Sequence, residues 1–300
     1  MDLLRQLNQD YGIPGMLSFG DRQPGFPSIT IDNSHAVAEI SLYGGQVLSY
    51  RPKGAAANLL FLSDRSQYQK GKAIRGGIPL CWPWFGADPE GSGRANHGFG
   101  RDRLWAVRQT ITLANGSTQV ILGLGDDADT HNIWDYAFDL LITITVGETL
   151  EIELTTYNRD QQPFRLTQAL HSYFTVGDIQ RVKVFGLAGL DYLDKVDGNR
   201  LKNQLGEVSI QGEVDRIYQQ APNKLLIEDP ALDRKIEIQS RNSTTVIVWN
   251  PGPEKTATMG DLHPDAYKSF LCVETANAAA EVIILTPGDR HSLGVTYRLL

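Results

Sequence analysis

The sequence of 300 residues predicts an all-β fold, a large sandwich or barrel of antiparallel strands with few short helices. Three observations carry that expectation. Short segments of alternating or continuously apolar character recur from about residue 28 onward, and Gly, Pro, Asn and Asp separate them. No helical periodicity intervenes between successive segments, which argues against a doubly wound parallel sheet.

Taken in chain order, "MDLLRQLNQDYGIPG" reads as a short amphipathic helix, so residues 1 to about 27 form an N-terminal extension that packs on the body. Strand signals follow in "SITIDN", "HAVAEISLYGG", "STQVILGLG", "YAFDLLITITVG", "TLEIELTTYN", "KIEIQS" and "TTVIVWNPG". The only other helix expected is a turn or two in "GDLHPDAYKS". With no fixed-period repeat, low-complexity linker or break in composition, residues 1–300 are expected to form a single domain.

With 41% hydrophobic and 21% charged residues, the chain falls in the ordinary soluble globular class. There is no apolar run of 18 residues, which argues against a membrane span. The N-terminus lacks a basic region followed by an apolar one, and a cytoplasmic location is expected. Cys81 and Cys272 lie in apolar strand-like segments and read as reduced, buried thiols. A formal charge of -7 with few Lys/Arg clusters argues against a nucleic-acid surface, so any anion bound must be held by a few local arginines.

Four stretches depart from the strand background. In "LTQALHSYFTVGDI", period-two reading puts Phe164, Leu166, Gln168, Leu170 and Ser172 on one face and Arg165, Thr167, Ala169, His171 and Tyr173 on the other, which plants a histidine on the more polar face. In "KAIRGGIPLCWPWFG", Arg75 precedes a Gly-Gly pair that would let the backbone approach a ligand closely, although a surface arginine beside a tight turn fits equally. "RANHGFGRDRLW" gathers Asn96, His97, Arg101 and Arg103 around small residues, as a loop wrapping an anionic or polyhydroxylated ligand would, or as a solvated basic loop would. In "YKSFLCVETANA", Glu274 closes an apolar run, where a carboxylate needs either a salt-bridge partner or a chemical task. The Gly/Pro-rich "VWNPGPEKTATMGDLHPDA" before it is suited to form a cleft wall.

The six histidines show no metal-ligand spacing, and there is neither a G-x-S-x-G elbow nor a phosphate-binding P-loop. Acid/base work by one His and one Glu is the economical chemistry that remains.

The blocks "RGGIPLCWPWFG", "NHGFGR", "LHSYF", "GEVDRIY" and "VWNPGPEKTATMGD...FLCVETA", in that order between residues 75 and 276, together resemble the hexose-6-phosphate mutarotases (glucose-6-phosphate 1-epimerases). These form a branch of the galactose-mutarotase-like, or aldose 1-epimerase, superfamily. Leu170 precedes the histidine where the galactose branch usually has Asn, which favours the phosphate branch. The resemblance implies a galactose-mutarotase-like β-supersandwich with a concave sugar cleft and anomer interconversion of a hexose 6-phosphate without a cofactor. It further implies His171 as general acid, Glu274 as general base, Arg75 and Arg101 as phosphate-binding residues, and Asn96, His97 and Asp215 as sugar contacts. The partner it implies is a small-molecule substrate, with no nucleic acid and no membrane, and a monomer is expected. An aldose 1-epimerase of unphosphorylated sugars and a non-catalytic sugar-phosphate binder are the alternatives. A hydrolase is disfavoured, because hydrolases usually set two carboxylates about the bond.

Overall fold

A computed structural model describes residues 3–300. Two large antiparallel sheets face each other. The nine-stranded sheet runs, in spatial order, Val208–Ser209, Lys183–Phe185, Lys224–Asp229, Arg234–Arg241, Arg290–Leu299, Leu150–Asn158, Phe138–Val146, Thr118–Gly125 and Ala106–Thr112. The eight-stranded sheet runs Arg200–Asn203, Asp191–Asp194, Val214–Tyr218, Thr245–Asn250, Phe270–Asn277, Gln168–Leu170 and Leu80–Cys81, and Tyr173–Thr175 also pairs with Phe270–Asn277. A four-stranded meander, Leu17–Gln23, Phe26–Asp32, Ala36–Ser41 and Gln46–Pro52, adds a third sheet, and Phe164–Leu166 pairs with Ile283–Leu285. All the strand segments singled out in the sequence lie in these sheets.

Strand periodicity divides the eight-stranded sheet into two faces. Leu170, Phe174, Val246, Val248, Leu271 and Val273 point into the main core shared with the nine-stranded sheet. Ala169, Tyr173, Ile247, Trp249, Phe270, Cys272 and Ala276 point the other way, into a smaller apolar cluster. Phe270–Asn277 is therefore buried on both faces, and a carboxylate at Glu274 lies inside the protein rather than on it. Hydroxyl pairs tie the sheets where the main core is polar: Ser240 with Thr275 at 2.8 Å, and Ser172 with Tyr297. Cys81 and Cys272 are both buried free thiols.

The start of the strands and the number of short helices differ from the sequence expectation, while the N-terminal helix agrees with it. Strands begin at Leu17, not near residue 28, because the exposed Asp21-Arg22-Gln23 run hides the Leu17/Phe19 alternation. The helix Leu3–Tyr11 does pack on the core through Leu4, Leu7 and Tyr11, and Asn8 exchanges two hydrogen bonds with the Phe19 backbone. Short helices also occur at Ala128–His131, behind an Asp127/Thr130 capping box, and at Gly252–Thr258, whereas "GDLHPDAYKS" contributes only the 3-10 turn Ala266–Lys268. No helix among the described residues is long and apolar enough to cross a membrane.

The Gly76-Gly77 pair serves packing rather than ligand approach. Both have positive φ, and a Cβ on Gly77 would meet the Val47 carbonyl oxygen at 2.2 Å, one on Gly76 the Phe61 carbonyl oxygen at 2.5 Å. Bare backbone at both positions lets the segment after Arg75 lie flat against the Gln46–Pro52 strand and the bridge-forming residues 60–62. Gly77→Ala is expected to lower unfolding free energy by at least about 2 kcal/mol in urea titration, through strain at φ 61° and that clash. A variant as stable as wild type would refute this packing role.

Candidate active site

The register of the eight-stranded sheet builds the centre of the site. Leu170 pairs with Thr275 and Tyr173 with Cys272, so the intervening His171 stands opposite Glu274 on the outer face. Regular strand geometry lapses at His171 and Ser172, and the His171 N–H donates to the Pro79 carbonyl instead. Below the imidazole lies Tyr173, its ring stacked at 4.8 Å and 11° from parallel, and Trp249 meets the imidazole edge-on at 5.8 Å. Two aromatic side chains thus fix the ring plane. His171 Nδ1 is 3.3 Å from Glu274 Oε1, with side-chain exposures of 10% and 1%. The contact is close but outside hydrogen-bond alignment, and both Nδ1 and Glu274 Oε2 lack a hydrogen-bond partner among the described residues.

Above this pair opens a cleft of about 470 Å³, large enough for a small polar ligand. All seven residues singled out from the sequence line it: Arg75, Asn96, His97, Arg101, His171, Asp215 and Glu274. They arrive from five separate segments of the chain. Arg103, noted in the same loop, stays outside, paired with Asp102 at 3.5 Å. Tyr173 does not line the cleft. It supports the site from beneath, its hydroxyl accepting from Arg75 Nη1 at 2.9 Å, while Asp261 accepts from Arg75 Nε at 3.0 Å.

The loop carrying His97 is closed by its own backbone. The His97 N–H donates to the Gly86 carbonyl, and the Gly86 N–H donates to His97 Nδ1 at 3.2 Å. An accepting Nδ1 places the ring proton on Nε2. Burial and the charges of Arg101, Arg75 and Lys195 push His97 down to about 3, so it is a neutral N–H donor at the cleft wall. Gly98 permits the turn, because a Cβ there would meet the Trp82 carbonyl oxygen at 2.1 Å. Asn96 contributes its carbonyl, which accepts from Arg101 Nη2 at 2.8 Å.

Sequence reasoning missed Lys195, Lys255, Trp249, Phe85, Met259 and Asp261. The signals for Lys255, Met259 and Asp261 were the expected cleft-wall segment, whose helix Gly252–Thr258 presents Lys255. Lys195 sits in a turn whose neighbourhood only the tertiary fold reveals. With Arg75 and Arg101, the two lysines put four cations around the cleft against Asp215 and Glu274, in a chain whose net charge is -7.

The buried pair is shifted toward neutrality. Burial first, then Asp215, push the Glu274 carboxyl well above its ordinary range, with Arg101 opposing. Burial first, then His97, Arg101 and Arg75, hold His171 well below an ordinary histidine. Burial likewise raises Asp215, against Lys195 and Lys255. His171, Cys272 and Glu274 place potential metal donors within 4.8 Å of one another. Burial and Glu274 push the Cys272 thiol far up, however, so a metal there would have to displace a tightly held proton.

The fold and the site define a class: a β-supersandwich with a cleft lined by four cationic side chains over a buried His–Glu pair. The aldose 1-epimerase family profile matches residues 27–298, and the chain belongs to that family. It is 38% identical over 253 residues to an Escherichia coli protein provisionally named glucose-6-phosphate 1-epimerase, covering 84% of this chain and 83% of that one. The solved structure of a provisional mutarotase from Salmonella typhimurium superposes with a TM-score of 0.89 at 32% identity, covering 99% of each chain. A galactose mutarotase related enzyme from Lactobacillus acidophilus shares the fold at a TM-score of 0.74 and 13% identity, over 91% of this chain and 97% of that one.

The raised pKa of Glu274 has a stability consequence. In the unfolded chain it ionises above about pH 4.3, whereas its folded pKa is raised, so the folded state holds the extra proton and loses stability as pH rises toward that folded pKa. Glu274→Gln should therefore unfold at a higher temperature than wild type at neutral pH, and the gap should narrow toward pH 4. Calorimetry across that range checks it, and a gap independent of pH would show Glu274 to be ionised in the fold.

Proposed function

We propose that this protein interconverts the α and β anomers of a hexose 6-phosphate, glucose 6-phosphate foremost, by opening and closing the pyranose ring. The observation that carries the reading is the opposed His171–Glu274 pair at the floor of a cleft ringed by cations. Relatives that cover most of the chain bear the name of that activity, which supports the choice of substrate.

In the proposed reaction Glu274 takes the anomeric hydroxyl proton while His171 gives a proton to the ring oxygen. The C1–O bond to the ring oxygen breaks, and an open-chain aldehyde with a C5 hydroxyl results. Rotation about C1–C2 turns the other carbonyl face toward the hydroxyl, and the transfers reverse. The pair holds one proton throughout. It rests on the Glu274 side in the free protein, must pass to His171 once the sugar is bound, and the ring-opened state again leaves Glu274 protonated and His171 neutral, the forms their burial favours. Arg75 and Arg101 grip the phosphate away from C1 and so orient the ring. Tyr173 and Asp261 hold the Arg75 fork in place. Asp215 accepts from ring hydroxyls, and His97 donates through Nε2. No electron or group leaves the sugar, so the chemistry calls for no cofactor. A cytoplasmic monomer acting on a free small molecule completes the reading.

Exchange NMR on glucose 6-phosphate at anomeric equilibrium tests the reading directly. Wild type should speed interconversion, and His171→Asn or Glu274→Gln should each lower kcat by about 10²- to 10⁴-fold. Activity within threefold of wild type in either variant would remove that residue from the mechanism.

The pH profile follows from the directions of the two shifts. The acid limb of kcat/KM should mark a second proton on His171 at its depressed pKa, and the alkaline limb the loss of the last proton near Glu274 at its raised one. This reverses the assignment that unperturbed groups would give. Nitrogen-15 spectra of the free protein at neutral pH should find the His171 ring neutral, and an imidazolium signature there would put the resting proton on His171 instead of Glu274 and overturn this assignment of the two limbs.

A further inference from the structure

The four cations of the cleft are not equivalent. Asp261 accepts from Arg75 at 3.0 Å, and Lys255 is paired with Glu213 at 2.6 Å. Arg101 is held by the Asn96 carbonyl and has no carboxylate within 4 Å among the described residues. Lys195 belongs to the turn of the hairpin Asp191–Asp194 and Arg200–Asn203 and lines the cleft from there. That turn has its own carboxylates, but Lys202 takes both, Asp194 at 2.7 Å and Asp197 at 2.9 Å. Asp194 also accepts from the Val196 N–H. The Lys195 ammonium is left with no acceptor in hydrogen-bond reach among the described residues, although its backbone N–H is tied to the Asp215 carbonyl at 2.9 Å. The turn is anchored and the side chain is not.

Resting on the hexose 6-phosphate reading above, we propose that Lys195 is a specificity-determining residue that closes the phosphate subsite from the hairpin side, clamping the dianion against Arg101 and Arg75. A cation already neutralised by a carboxylate gains less from an incoming phosphate than one whose charge is uncompensated. Arg101 and Lys195 are the two cations lining the cleft that have no carboxylate ion-pair partner among the described residues. Arg75, Arg101 and Lys195 line the same cleft as His97, and the field of all three reaches its ring. Arg75 supplies a rigid fork, fixed by Tyr173 and Asp261; Lys195 supplies a flexible point charge that can follow the phosphate as it enters. A lysine that served Asp215 instead would matter equally for phosphorylated and free sugars.

Lys195 is solvent-exposed, so replacing it leaves the core intact. Lys195→Ala is expected to raise KM for glucose 6-phosphate about 10-fold with kcat little changed, the lower end of the effect of one charge-assisted hydrogen bond. Turnover of glucose should not change, inhibition by inorganic phosphate should weaken by a similar factor, and Lys195→Arg should restore most of the loss. Wild type preferring glucose 6-phosphate over glucose, with Lys195→Ala unchanged in KM and in phosphate inhibition, overturns this inference and leaves the proposed substrate standing. Equal losses on both sugars also overturn it, in favour of a role through Asp215. Wild type turning over glucose as efficiently as glucose 6-phosphate overturns the substrate reading, and the inference with it.

Discussion

The site hangs on the register of one strand pairing. Phe270–Asn277 is a central strand, and the segment from Gln168 to Thr175 pairs with it in a single register on both sides of His171. A slip of one residue by the Gln168–Thr175 segment would turn His171 into the main core and bring Ser172 to the cleft floor beside Glu274. Apolar residues of both parities resist that slip, because Leu170, Phe174, Leu271 and Val273 fill the main core while Phe270, Cys272 and Ala276 fill the cluster under the cleft. Core packing thus fixes the distance between two titratable groups that make no hydrogen bond to each other.

Leaving those groups unsatisfied has a cost. A buried imidazole nitrogen and a buried carboxyl oxygen without partners would each destabilise the fold by about 1–3 kcal/mol. The sequence could remove that cost with an apolar pair, which is how the rest of this face is built. Where a fold retains unsatisfied polar atoms beneath an open cleft, they remain available to a ligand. The same burial that destabilises the ionised forms poises the pair to hold a single proton, and Tyr173 and Trp249 keep the imidazole from turning away.

Around this floor the charges divide by function. Arg75 and Lys255 are locked by carboxylates; Arg101 and Lys195 keep their charge for whatever enters. Locking gives geometry and leaving free gives attraction, and an anionic sugar needs both. The loop from Trp82 to Gly98 contributes rigidity in a third way, through backbone bonds between Gly86 and His97 that fix the His97 tautomer. His97 is thereby both a loop staple and a cleft donor.

The sequence by itself determined the fold class, because period-two alternation and turn residues follow from local backbone geometry. It also determined the chemical identities at the site: His171 on the less apolar face of its strand, Glu274 at the end of an apolar run, and Arg75 and Arg101 in glycine-rich loops. The family resemblance added Asn96, His97 and Asp215, and the cleft gathers all seven. Only the tertiary structure decided what those residues do to one another. The strand-to-strand register that opposes His171 to Glu274, the carboxylates that neutralise Arg75 and Lys255, and the arrival of Lys195 from a distant hairpin are contacts between segments far apart in the chain. Local pattern carries no record of such neighbours. The direction of each pKa shift was hidden for the same reason, since burial and nearby charge belong to the assembled core and not to the residue.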